Sequence, residues 1–120
     1  MIKTKSVYDK EEEENGIRVL VTRFWPRGVR KEEQDFWMKD LGPEAWVIKK
    51  WKAGEMTWDA FKREYREEFK KDERKRELLH ELKVIIKSAK KRDVTLLCTC
   101  REDEHCHRTL LKEMLVKGGI

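Results

Sequence analysis

Gly16-Ile17-Arg18-Val19-Leu20-Val21-Thr22-Arg23-Phe24-Trp25-Pro26-Arg27-Gly28 is the stretch on which the fold turns. From Ile17 to Phe24 it reads as a strand. Ile17, Val19 and Val21 share one face, and Leu20 and Phe24 leave the other partly apolar between Arg18 and Thr22. A strand apolar on both faces is an inner strand covered on both sides, as in parallel sheets. Pro26 and Gly28 then break it. Upstream, the acidic loop Asp9 to Asn15 ends in the turn signal Asn15-Gly16. Ile2 to Tyr8 reads as a short first strand. Near the other end, Val94 to Cys98 is short and almost wholly apolar, the mark of a central, buried strand.

Helical patterns fill the interval. One helix is expected from about Lys31 to Leu41, stopped by Gly42-Pro43. Pro43 fits the first position of the next helix, which carries Trp46, Val47 and Trp51 and stops at Gly54. Thr57 is a cap for a third, whose Trp58, Phe61, Tyr65 and Phe69 form one stripe at helical spacing and read as core. A fourth, about Glu73 to Lys90, gathers Leu78, Leu79, Leu82, Ile85, Ile86 and Ala89 on one face. Its other face is nearly all charge, with His80 a surface residue. The last runs from about Cys106 to Lys117 and buries Leu110, Leu111, Met114 and Leu115. Strand, helices, strand, helix specifies an α/β fold. The expectation is a single compact layered domain over residues 1–120, with a small, mostly parallel sheet flanked by helices.

Charged residues make up 44% of the chain and hydrophobic ones 38%, against a usual charged share of roughly 25%. Such enrichment in Lys, Glu and Arg resembles the composition of proteins that work hot. The formal net charge is +5 and the pI about 9.1, which permits a nucleic-acid or other polyanionic partner without demanding one, because acidic residues are interspersed throughout. No apolar run approaches the roughly 18 residues of a membrane span, and the start of the chain lacks a signal-peptide apolar region. The expectation is therefore a cytoplasmic protein with no membrane association. Three Cys, an odd number clustered near one end, argue against a secreted disulfide framework.

In open α/β sheets ligands bind beyond the C-terminal ends of strands, and both readable ends carry unusual residues. The first has Arg23, Trp25, Pro26, Arg27 and Gly28 within six positions. A guanidinium fork recognises carboxylate or phosphate, Trp25 offers a stacking face, and Gly28 admits close backbone approach. The opposing interpretation makes Trp25 core and the arginines partners of helix carboxylates. The second is Cys98-Thr99-Cys100-Arg101-Glu102-Asp103-Glu104-His105-Cys106-His107-Arg108. Three interpretations of it stand side by side. Cys106 at a helix N-terminus is a reactive thiolate, with His107 or His105 as acid or base and Arg108 on a substrate anion. Or Cys98, Cys100, Cys106 and His105 form a zinc set, although C-x-C-x5-C is not a standard zinc spacing. Or Cys98 is a packed small hydrophobe, and Cys100 and Cys106 are incidental or a redox-sensitive pair.

The run from Gly16 to Gly28 resembles the signature of the YeaO-like family of uncharacterised proteins. Trp37-Met38-Lys39-Asp40-Leu41-Gly42-Pro43, Lys50-Trp51, the third-helix stripe with Glu67-Glu68-Phe69, and Leu96-Leu97-Cys98 with Cys106-His107-Arg108 extend the likeness over nearly the whole chain. The resemblance implies a compact α/β fold and no established activity. Thr22 stands where the family usually has Asp, so a mechanism through that carboxylate is not carried over. Cys100 and His105 are additions to the pattern.

Three functional classes follow. The first is a small enzyme or binding domain for an anionic ligand (phosphate, carboxylate or nucleotide-like), with Cys106 and His107 as catalytic residues and Arg23, Trp25, Arg27, Gly28 and Arg108 binding the ligand. The second is a nucleic-acid-binding accessory domain. The third is a zinc-binding or redox-responsive regulatory domain. No cofactor is specified by the residues.

Overall fold

The computed structural model describes residues 2–9, 16–90, 92–99 and 105–117. Among them, four strands, β1 (Ile2–Ser6), β2 (Ile17–Leu20), β3 (Phe36–Trp37) and β4 (Val94–Cys98), form one sheet in the order β1-β4-β2-β3. Every pairing is parallel. Val94 lies opposite Ile2 on one side and Ile17 on the other, and Leu96 lies opposite Thr4 and Val19. All five residues of β4 are buried, which is why this strand carries no charge: it has a neighbour on each edge and cover on each face.

Four α-helices complete the α/β domain: α1 (Ala45–Lys52), α2 (Trp58–Lys71), α3 (Glu73–Ala89) and α4 (His107–Lys117). Thr57 caps α2 by accepting the Ala60 amide through its hydroxyl at 3.1 Å. Asp72 ends α2 and starts α3, its carboxylate accepting the Arg74 amide at 2.9 Å, so one residue makes the turn. The α2 stripe faces inward, with Phe61, Tyr65 and Phe69 buried against Val19, Val21, Leu96 and the α4 residues Leu110, Leu111 and Met114. Each such side chain contributes about 2 kcal/mol over its exposed state. None of the described helices is long and apolar enough to cross a membrane.

Two local expectations are corrected. Lys31 to Leu41 is not a helix: 3₁₀ turns at Lys31–Glu33 and Lys39–Leu41 flank the edge strand β3. Tertiary partners override the helical propensity of this polar run. The Asp35 carboxylate accepts the Arg18 amide at 2.8 Å, the Trp37 indole N–H donates to the Thr22 carbonyl at 2.8 Å, and the Met38 amide donates to the Leu20 carbonyl at 2.9 Å. Pro43 is not the first residue of α1 but stands before its N-cap, Glu44. Among the charged residues of α3, Lys75 is buried, at 0% exposed.

Candidate functional site

Because β2 and β4 are parallel neighbours, the chain leaves both at the same edge of the sheet. The segment after β2 and the segment leading into α4 therefore converge, and between them lies a cavity of about 330 Å³. Its walls include Trp25 and Arg27 from the first segment, Cys106 and His107 from the second, and Trp51 and Phe61 from α1 and α2.

The first wall is built by side chains that hold its backbone in place. Arg23 donates from Nε to the Pro43 carbonyl at 2.7 Å and from Nη2 to the Gly42 carbonyl at 3.1 Å, and pairs with Asp40 and Glu44 at 3.5 Å each. Gly42 permits this approach, since a Cβ there would come within 2.6 Å of the Arg23 backbone nitrogen. Arg23 touches the cavity, but its fork is engaged by protein. The Trp25 indole N–H donates to the Val29 carbonyl at 2.8 Å, and its ring packs edge-on against Trp37. Gly28, at φ +81°, makes the Pro26–Val29 turn outside the cavity lining. Arg27 lines the cavity and is exposed, as is Lys52 at the end of α1.

The second wall carries a sulfur and an imidazole, backed by a second sulfur. The Cys98 and Cys106 sulfurs are 2.8 Å apart, and Cys106 Sγ is 3.9 Å from His107 Nδ1. His107 Nε2 lies 2.6 Å from the Val21 carbonyl. A carbonyl accepts only, so Nε2 carries a proton, and Nδ1 is the ring nitrogen on the Cys106 side. Tyr65 packs edge-on against this imidazole and donates its hydroxyl to the Leu41 carbonyl at 2.6 Å. Burial pushes the Tyr65 phenol well above its usual range, with the charges of Glu68, Cys106 and Cys98 adding to the effect, so it stays a neutral donor. Arg108 is 1% exposed and donates from Nη1 to Cys98 Sγ at 2.9 Å. It lies behind the wall, on the sulfurs, and is not part of the cavity lining.

Among the described residues, the donors that lie within 4.8 Å of one another are Cys98, Cys106 and His107. This set differs from the one read from the sequence. His105 is exposed and its ring rests on Trp58 and Trp51, with centroids 4.9 and 6.2 Å away, while Cys100 lies outside the described residues. The sequence reading passed over Trp51 and Phe61 as walls and Tyr65 as the support of His107. Phe61 and Tyr65 belonged to the core stripe and Trp51 to the helix before it, and no spacing rule distinguishes a core aromatic from one at the core's open end.

No solved structure matches the chain significantly. It is 30% identical over 116 residues to the uncharacterised protein YeaO of Escherichia coli (strain K12), covering 95% of this chain and 96% of that one. It is 33% identical over 69 residues to an uncharacterised protein of Mycobacterium tuberculosis (strain H37Rv), covering 56% and 58%. Residues 2–119 match the family model described as "Active DUF488-N3 subclade". On these grounds, with the sheet-edge arginine and cysteine segments in place, the chain belongs to that DUF488-N3 subclade, among the YeaO-like proteins.

Proposed function

We propose that the cavity binds a small anionic molecule with a flat or apolar portion, and that Cys106 acts on it as a thiolate nucleophile. The observation that carries this reading is a single cavity with aromatic walls, exposed cations at Arg27 and Lys52, and Cys106 and His107 in its lining. Apolar pockets with a few convergent polar groups are the usual form of small-molecule sites. The Nδ1 lone pair of His107 is the base that takes the Cys106 proton. The 3.9 Å separation is long, as catalytic contacts often are before a ligand tightens them. Arg23 and Arg108 then serve the site indirectly: Arg23 fixes the wall, and Arg108 favours negative charge at Cys98, to whose sulfur it donates. The subclade's description as active agrees with a catalytic role.

Competitive alkylation tests it. Native protein is treated at neutral pH with iodoacetate, an anion, and with iodoacetamide, its neutral counterpart, and Cys106 is followed by peptide mass spectrometry. The expected result is labelling faster than free cysteine, with iodoacetate favoured relative to its reactivity toward free cysteine. Labelling at or below the free-cysteine rate with both reagents removes the thiolate.

A second reading rests on the Cys98, Cys106 and His107 donor set. An imidazole whose other nitrogen donates to a backbone carbonyl, as His107 does to Val21, is the common form of a metal-bound histidine. Two thiolates and one imidazole suit zinc. About one zinc per chain, with thiols protected from alkylation, would make Cys106 a ligand instead of a nucleophile.

A further inference from the structure

We propose that Cys98 is the resolving thiol of Cys106, and that the two form a dithiol centre that reduces small anionic disulfides. The proposal rests on the nucleophilic reading of Cys106 and adds to it a second thiol and a substrate class.

Three observations carry it. The sulfurs are 2.8 Å apart, about 0.8 Å beyond the roughly 2.05 Å of a disulfide bond. Exchange between them therefore needs little movement of strand or helix. Next, the two cysteines differ in access. Both are buried, Cys106 at 1% and Cys98 at 0% exposed, but Cys106 lines the cavity and Cys98 is absent from the lining. Thiolate attack on a disulfide sulfur expels the other sulfur from the far side. A group carried on Cys106 has the cavity before it and Cys98 behind it, which is the order such a displacement requires. Last, the Arg108 guanidinium donates to Cys98 Sγ at 2.9 Å. It supports negative charge on the hidden sulfur, which must attack, and the buried setting keeps outside reagents from reaching that sulfur first.

The chemistry balances in two steps. The Cys106 thiolate attacks one sulfur of R–S–S–R; an S–S bond breaks, the Cys106–S–S–R bond forms, and R–S⁻ leaves with the electron pair. The Cys98 thiolate then attacks Cys106 Sγ, forming the Cys98–Cys106 disulfide and releasing a second R–S⁻. The substrate is reduced by two electrons and the pair oxidised by two. An external dithiol, becoming a disulfide itself, returns the pair to its reduced form. The substrate is anionic because the exposed cavity cations are Arg27 and Lys52. It is small because the cavity holds about 330 Å³.

The test uses the full chain, reduced and then freed of reductant, with dithiodiglycolate as the anionic disulfide and cystamine as the cationic one. Products are trapped in acid and mapped by mass spectrometry. In the wild-type protein the expected product is the Cys98–Cys106 disulfide with little thioglycolate adduct. In Cys98→Ser the expected product is a stable thioglycolate adduct on Cys106. Cystamine should react about ten-fold more slowly than dithiodiglycolate, after correction for reaction with free cysteine, because the local field repels it. A lasting adduct on wild-type Cys106, or a disulfide that maps to Cys100, overturns the pairing while leaving the nucleophile intact. No reaction at Cys106 overturns the nucleophile and the pairing together. If Cys98→Ser does not fold, the wild-type map alone decides.

Discussion

Two buried polar centres, one on Lys75 and one on Cys98 and Cys106, use charge in opposite ways. One is Lys75 with Glu68. The Lys75 ammonium donates to the Asp40 carbonyl, to the Gly42 carbonyl at 2.7 Å and to Glu68 at 3.2 Å, and lies over the Phe69 ring. Glu68 in turn accepts the Glu44 amide. Burial pulls the lysine below its usual range and pushes the Glu68 carboxyl above its own, while their attraction opposes both shifts. Glu68 borders a surface pocket, but that pocket is lined by carboxylates, Lys71 and Trp46, with no thiol or imidazole. The other centre is Cys98, Cys106, His107 and Arg108, equally buried but with two members in a cavity wall. The difference teaches how to separate a staple from a site. A staple spends its donors on backbone carbonyls of a loop that must be held. A candidate site spends its hydrogen bonds on orientation and keeps a thiol and an imidazole in a cavity wall.

The largest effect is expected at the staple. Lys75→Met strands Glu68 and two loop carbonyls without their cation, and breaking one partner of a buried pair costs about 3–5 kcal/mol. Urea unfolding reads that loss. The comparison sharpens if the folded fraction still alkylates at Cys106 at the wild-type rate. It breaks if unfolding is unchanged, or if alkylation changes as much as stability does.

A smaller effect, and of another kind, is expected at the cavity mouth. Arg27 is exposed, so Arg27→Ala should leave stability within about 0.5 kcal/mol. Its measure is the iodoacetate preference over iodoacetamide, expected to fall about three-fold as one of two local cations is removed. An unchanged preference would assign anion attraction to Lys52 or to the net charge of the chain.

The smallest effect belongs to the far edge of the sheet, remote from both centres. Lys3 pairs with Asp93 at 3.1 Å, and that hydrogen bond holds the Asp93 carboxyl below its usual range. A carboxyl whose pKa is lower folded than unfolded contributes stability above its unfolded pKa, and that contribution fades as pH falls through the folded value. Asp93→Asn should therefore lower the melting temperature slightly at neutral pH and not in strong acid. An equal loss at both pH values would point to packing instead of charge.

Much of the fold is legible in the residues. The double-sided apolar pattern of Ile17 to Val21 and the unbroken run Val94 to Cys98 mark inner parallel strands, and the helical stripes of α2, α3 and α4 mark the faces that cover them. The site was legible as two segments, because the C-terminal ends of parallel strands are where a chain emerges near its neighbour. Roles within it were less so. Arg23 and Arg108 look alike in a motif, yet one is fastened to carbonyls and carboxylates across the loop and the other lies beside a sulfur. Lys75 reads as one charge among many on α3, since nothing local distinguishes a lysine that meets carbonyls from one that meets water. Phe36 and Trp37 pair with β2 through contacts to Arg18, Leu20 and Thr22 that no helical periodicity records.

The sequence by itself determined the class of fold, the central strands and the two chemistry-bearing segments. Those follow from burial patterns and turn residues that act over a few neighbouring positions. Only the tertiary structure decided that Cys98 stands beside Cys106, that His107 Nδ1 is the nitrogen on their side, and that Arg27 is exposed at the cavity while Arg23 and Arg108 are engaged by protein. Those outcomes depend on which backbone carbonyls and side chains arrive from residues far along the chain, and such meetings leave no period in the sequence.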